Sequence, residues 1–468
     1  MTKGRVDKGR LDKGRVDKGR VVMGLLFFPR GGSAQVARYL APCLGDAGWT
    51  VSLVTGSLGR AGEETHAPSF FAGLDDVHAL DYSAPDVPMH PSYEDRPDAP
   101  DPVLARVPPS EASHLASLWD DLLLAAGGDH ATLFHLHHLT PQHEAVIHRW
   151  PDATIVAHLH GTELKFLEAV ERSPEQWPHG RFWAERLRAI AGRCDHLVAV
   201  NPEDTDTAVR LLDVEPARVT PIPNGVDIER FSPRVVSPRE RRARLRQWLV
   251  DDARGRDPSG AVVRYCDADL ELFAGGPTLL FVGRFTEAKR VPLLIRAYAR
   301  ARPRLDPLAP LLVWGGAAGE WEGEQPYAVA QEVGAEGVFF TGWRGHDDLP
   351  LGLAQADVLV MPSVNDSYPQ TPLEAMATGL PVLATTSGGF PSMINTDASR
   401  PDGWLVPPDD VDALADALVE VVNRPDERAR RAANALAHAR SEFSWTGLVP
   451  RFEDVYAQAR LRSAARAR

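Results

Sequence analysis

The chain has 468 residues, 44% of them hydrophobic, and a formal net charge of −13. That length predicts two or three domains with sizeable cores. The acidic balance excludes a general nucleic-acid binder and argues against docking on anionic lipid by charge. Three dispersed cysteines, Cys43, Cys194 and Cys266, give neither a disulfide framework nor a cysteine-based zinc motif. No apolar run reaches the roughly 18 residues of a transmembrane segment. The short apolar run 21–28 leads into a Gly-rich loop rather than a signal-peptide cleavage site. A cytoplasmic protein is expected.

Residues 1–20 repeat a five-residue unit, KGRVD, and hold eight Lys or Arg against three Asp. Glycine in each unit and alternating charge oppose packing, which predicts a disordered basic tail. Met23 is a natural start for the folded chain. From there strand and helix signals alternate. Apolar 21–27 reads as a strand buried on both faces, Pro29-Arg30-Gly31-Gly32-Ser33 as a loop, 34–44 as a helix and 49–54 as a strand. The Pro- and Asp-rich stretch 83–110 predicts a surface loop, followed by a helix over 112–126. Strands are predicted at 132–137, 154–158 and 196–200. Pro223-Asn224-Gly225-Val226-Asp227 closes the first domain, with Asn-Gly suggesting a hinge turn at positive φ. Residues 232–276 read as a charged connector with little apolar face. Strands at 278–282, 311–314, 338–340, 358–361 and 381–384, with helices at 291–302 and 411–422, predict a second α/β domain. A terminal helix covers 445–459. The expected division is a tail 1–20, domains 21–231 and 277–440, a connector 232–276 and a C-terminal helix 441–468. Two doubly wound domains leave a cleft at the C-terminal strand ends, where ligands bind such sheets.

The most informative stretch is Ser363–Gly379, SVNDSYPQTPLEAMATG. Asp366 and Glu374 stand eight positions apart, across a proline-broken loop that enters a helix near Pro372. Upstream, Gly283-Arg284-Phe285 follows a strand, with Lys289 beyond. Two cations and two carboxylates at strand ends suit a nucleoside diphosphate carrying a sugar. The region resembles the retaining glycosyltransferases of family 4, which have the GT-B fold of two Rossmann-like domains. Their Glu-x7-Glu pattern, followed by Ala-Met-Ala-x-Gly, is here Asp366-x7-Glu374 and Ala375-Met376-Ala377-Thr378-Gly379. The resemblance spans Met23 to the end helix.

The resemblance implies that Arg284 and Lys289 hold the diphosphate, Glu374 the ribose, and Asp366 the neighbourhood of the transferred sugar. The family usually has Glu at the first position followed by Gly-Phe-Gly; this chain has Asp366-Ser367-Tyr368-Pro369, leaving the sugar contacts open. Backbone amides of Tyr368, Gln370 and Thr371 remain as donors, whereas Pro369 has none. His160, in His160-Gly161-Thr162-Glu163, is implied as a donor-sugar contact, and the Gly31-Gly32 loop as a close approach to phosphate or sugar. His137 or His138 would line the acceptor cleft. Arg344 reads equally as a base or phosphate contact and as a surface residue.

His135, His137, His138, His158 and His160 invite a metal reading, set aside because no Asp or Glu spacing supports it. Asp267-Ala268-Asp269 lies in the connector, away from strand ends. No metal and no cofactor is expected. The expected partners are a nucleotide-diphosphate sugar, UDP- or GDP-linked, and a hydroxyl acceptor that is a small molecule, a glycan or lipid-linked. A nucleotide-sugar epimerase of the same fold, or a silent nucleotide-sugar binding protein, stays open as an alternative.

Overall fold

The computed structural model describes residues 17–26, 32–63, 65–95, 101–316 and 321–468. Most of the repeat tail, and Gly31 with its preceding loop, lie outside these residues.

Two parallel sheets organise the chain. The first contains β1 (Arg20–Leu25), β2 (Thr50–Ser57), β3 (Val77–Asp81), β4 (Leu133–His137), β5 (Ile155–His158), β6 (His196–Ala199) and β7 (Val219–Pro221), in the order β3-β2-β1-β4-β5-β6-β7. The second contains β8 (Leu279–Gly283), β9 (Leu311–Gly315), β10 (Val338–Gly342), β11 (Val358–Met361), β12 (Val382–Thr385) and β13 (Gly403–Val406), in the order β10-β9-β8-β11-β12-β13. Among the described residues the strands of both sheets pair in parallel, with registers such as His137↔His158 and Leu280↔Leu312. Both strand orders reverse beside the first strand, between β1 and β4 and between β8 and β11, so each sheet opens a crevice there.

Composition explains the layering. β4, β5, β6 and β11 are buried along their whole length, as strands covered on both faces must be. β3 and β13 fall where no strand is expected. β3 is a half-buried edge strand, VHALD, with a weak apolar signal.

Three features depart from the sequence expectations. The connector is not merely charged: Leu245, Trp248, Leu249, Leu270 and Phe273 join the core of the second lobe. Its helix Pro238–Arg246 passes into a π-turn, Gln247–Asp251, which displaces the apolar stripe from simple helical spacing. The stretch expected to be a surface loop buries Tyr93, Val103, Leu104 and Val107 in the first-lobe core. Asn224-Gly225 has no positive φ. Glycine is required there because Trp445 packs on it, with ring carbon 2.5 Å from where a Cβ would stand.

The helix Trp445–Arg466 belongs spatially to the first lobe. Trp445, Leu448, Phe452, Val455 and Tyr456 share a core with Val21, Met23, Leu25 and Leu40. The backbone returns through Val226, whose N–H donates to Phe443 O at 2.7 Å. Among the described residues no helix is long and apolar enough to cross a membrane.

Candidate active site

The C-terminal ends of β8 and β11 bring the charged residues of the second lobe together. Gly283 ends β8 and Arg284 follows, partly exposed and with no side-chain partner among the described residues. The 3-10 turn Glu287–Lys289 then lifts Lys289 over the loop after β11, and Val364 N–H ties that loop to Ala288 O at 2.8 Å. Lys289 Nζ donates to both carboxylate oxygens of Asp366, at 2.9 and 2.7 Å. The pair is mostly buried, with side chains 16% and 19% exposed. A cation, a shielded ion pair and a crevice thus share one point.

Glu374 lies in the helix Gln370–Ala377 and is 2% exposed. Its Oε1 is 2.7 Å from His346 Nε2, in the turn after β10. His346 was not singled out in the sequence; a lone histidine 28 positions upstream carries no motif. Gln370 Nε2 is buried without a partner among the described residues, beside partly exposed Thr371. The Tyr368 ring turns inward against Phe443, so that residue can offer a ligand only its backbone.

Arg344 is corrected by the structure. Its side chain is 2% exposed, and it donates to Asp252 Oδ2 at 3.0 Å, Trp248 O at 3.0 Å and Asp252 O at 2.6 Å. The guanidinium is committed to the connector and is not available to a nucleotide. The expectation failed because the apolar connector core that recruits it was not legible.

On the first-lobe side, His135 and His137 alternate along β4, and His158 and His160 lie along β5 and just beyond it. Alternate residues face one side of a strand, and the rings stack with centroids about 5 Å apart (His137–His158 5.0 Å, His158–His160 4.6 Å). His160 Nε2 meets His137 Nδ1 at 2.8 Å, and His160 N–H donates to Glu163 Oε1 at 2.8 Å. Burial first, then the neighbouring imidazoles, holds His137, His158 and His160 well below the usual histidine range. Burial alone takes His135 down to about 3. The stack is therefore neutral. His137 is fully buried, so it supports His160 rather than lining an acceptor cleft. His138 adopts φ 63° and places Nε2 3.0 Å from Ser33 Oγ. Burial raises the carboxyl of Glu163, but His138 and the hydrogen bonds outweigh it and keep Glu163 below its ordinary value. Gly32 opens the helix Gly32–Asp46, and no atom of the described residues lies within 4 Å of a notional Cβ there.

His135, His137 and His158 offer nitrogens within 4.8 Å of one another. Tetrahedral zinc ligands stand roughly 3.3 Å apart, and His135 is already engaged by Tyr456 Oη at 2.6 Å and His158 Nδ1 at 3.2 Å. In the connector, Asp267 pairs with Arg246, and Asp269 accepts from Cys266 N–H at 2.7 Å.

The family model described as Glycosyltransferase Family 4 matches residues 30–230, and that described as Glycosyl transferases group 1 matches 267–438. The chain belongs to glycosyltransferase family 4. This family 4 chain is 34% identical over 277 residues to the D-inositol 3-phosphate glycosyltransferase of Saccharomonospora viridis, covering 58% of the chain and 57% of the relative. The relative of the same name from Streptomyces griseus is 32% identical over 277 residues, with 58% and 55% covered. The match thus spans just over half the length of these curated relatives. The sucrose-phosphate synthase of Thermosynechococcus elongatus superposes with a TM-score of 0.65 at 19% identity, covering 94% of this chain and 99% of that one. Anabaena HepE in complex with UDP and glucose gives 0.63 at 17%, with the same coverage. Those neighbours establish the GT-B architecture of this family 4 protein.

Proposed function

We propose that this protein transfers a sugar from a nucleoside-diphosphate donor to an acceptor hydroxyl, with retention at the anomeric carbon and without a metal. The observation that carries the reading is Arg284, without a side-chain partner among the described residues, beside the Lys289–Asp366 pair at the sheet crevice. Arg284 offers a planar fork and Lys289 a point charge to the diphosphate, where charge develops as it leaves. Glu374, oriented by His346, accepts from the ribose hydroxyls. His160 and Asp366 face the sugar, the neutral imidazole being able to donate or accept. The bond from the anomeric carbon to the β-phosphate oxygen breaks, and the acceptor oxygen bonds that carbon on the same face. The acceptor proton passes to the leaving phosphate oxygen, so no separate protein base is required. UDP and GDP are the first donors to test, given the neighbour crystallised with UDP and glucose. The names of the relatives make D-inositol 3-phosphate the first acceptor to try.

The test is calorimetric titration with UDP, GDP, ADP and their sugars, without metal, alongside an Arg284→Ala/Lys289→Ala double variant. One nucleotide should bind wild type in the micromolar range. The variant should lose about 3 kcal/mol, roughly a hundredfold. Equal binding by the variant would remove the diphosphate cradle and with it the reading. The anomeric coupling of a transfer product, read by NMR, decides retention.

A further inference from the structure

The loop that carries Asp366 is held from the other lobe. Asn365 adopts φ 61°, uncommon for a residue with a Cβ and best tolerated by Asn or Asp, and Pro369 ends the loop without an N–H. Four successive carbonyls around Asp366 each accept a hydrogen bond. Lys165 Nζ donates to Asn365 O, Gly389 N–H to Asp366 O at 2.8 Å, Asn201 Nδ2 to Ser367 O at 2.9 Å, and Asn224 Nδ2 to Tyr368 O at 2.9 Å. Three of these four donors are side chains of the first lobe. Asn201 and Asn224 are 3% and 6% exposed, so their amides act away from water, where a lost bond is costly.

Asn201 is itself fixed. It caps the helix Pro202–Leu212, accepting from Asp204 N–H at 2.6 Å, and its Nδ2 also reaches Asp204 Oδ2 at 3.0 Å. The lobes meet closely at the same spot. Gly161, at φ +85°, leaves Ser367 Oγ only 2.0 Å from where a Cβ would stand. From its own lobe, the loop receives Ser387 Oγ on Asn365 N–H at 3.1 Å and the Lys289 contact to the Asp366 side chain.

We propose that Asn201, with Lys165 and Asn224, is a positioning residue. By gripping the backbone on either side of Asp366 from the first lobe, it sets the direction of that carboxylate toward the transferred sugar. The inference rests on the donor reading given above. It makes sugar transfer, but not diphosphate binding, depend on contact between lobes, since Arg284, Lys289 and Glu374 all belong to the second.

Asn201→Ser tests this, because Ser keeps the helix cap while being too short to reach Ser367 O. Lys165→Ala accompanies it. Hydrogen exchange of the peptide 363–371 is read without substrate. UDP and GDP binding, and turnover of UDP-glucose or GDP-mannose with and without acceptor, are then measured. The expected result for Asn201→Ser is exchange about tenfold faster in that peptide, kcat lower by about 10- to 100-fold, as a small misplacement of a reacting group costs, nucleotide Kd within a few-fold of wild type, and a modestly lower Tm from the lost buried hydrogen bond. Unchanged exchange would overturn the grip. Faster exchange with an unchanged kcat would overturn the positioning role. A wild type that binds no nucleotide, yet shows the exchange effect, would instead overturn the donor reading and the catalytic meaning of the grip, leaving only a structural clasp.

Discussion

Asp366→Asn separates two roles that the Lys289–Asp366 pair combines. Lys289 is held at 2.7 and 2.9 Å by both oxygens of one carboxylate, with both side chains under a fifth exposed. An incoming diphosphate therefore competes with Asp366 for this ammonium and lies beside a resident negative charge. A charge-assisted contact of this kind is worth about 2 kcal/mol, or about thirtyfold in Kd. Asn is nearly isosteric and neutral, so Asp366→Asn should bind UDP or GDP more tightly, by up to about thirtyfold. Transfer should fall by about a hundredfold, because the carboxylate proposed to face the sugar is gone. High salt should narrow the affinity gap between variant and wild type. The assay is calorimetry of the free nucleotide in parallel with initial rates. Tighter binding with slower transfer is the expected signature; nucleotide affinity equal to or below wild type would refute the competition.

Arg344→Ala should lower stability by about 2–4 kcal/mol, because Asp252, Trp248 O and Asp252 O lose a buried donor. Nucleotide affinity should remain within about twofold of wild type; a selective loss of affinity with a normal urea midpoint would return Arg344 to the nucleotide site. Acid should destabilise the protein before it touches most carboxylates. His135 of the stack, and His143, fully buried in the first turn of the helix Pro141–Arg149, fall from 6.5 to about 3 chiefly through burial, so between those values the unfolded chain binds protons that the folded chain refuses. Stability from these groups is present above pH 6.5 and is lost as pH falls toward 3. Each costs about 1.4 kcal/mol per pH unit in that window, or about 3 kcal/mol for the pair at pH 5.5 relative to 7.5. Urea titrations at the two pH values measure this, and equal stabilities would contradict a neutral histidine stack.

Local chemistry was legible in the sequence and distant pairing was not. Asp366 and Glu374 share one loop–helix unit, and Arg284 and Lys289 share one strand–turn unit, so spacing alone brings each pair to a strand end. The two strand-helix rhythms likewise announce their sheets, because strands buried on both faces read as continuous apolar runs. Asn201 meets Ser367 across 166 positions and Asn224 meets Tyr368 across 144, and nothing in either neighbourhood marks the partner. Arg344 was ambiguous for the same reason: its acceptors lie 92 and 96 positions earlier, in a segment whose charge hid the buried Leu245, Trp248 and Leu249.

The two lobes divide the electrostatic work. The first lobe offers partly exposed His160, backed by the buried imidazoles of His135, His137 and His158, and among the described residues the buried carboxylate beside it, Glu163, is engaged by His138 and by His160 N–H. A neutral imidazole at that point can hydrogen-bond a sugar but contributes little Coulomb attraction to a diphosphate. On the proposed donor reading the second lobe supplies Arg284 and Lys289, so nucleotide binding should not require contact between the lobes. Under the proposed transfer, reaction on the sugar has a further requirement, since His160 comes from one lobe and Asp366 from the other. The backbone clasp at 365–368 joins the lobes where that requirement falls. On the proposed reading donor affinity rests on second-lobe residues, Asp366 among them, whereas turnover needs both lobes, so a change in lobe contact should move turnover more than donor affinity.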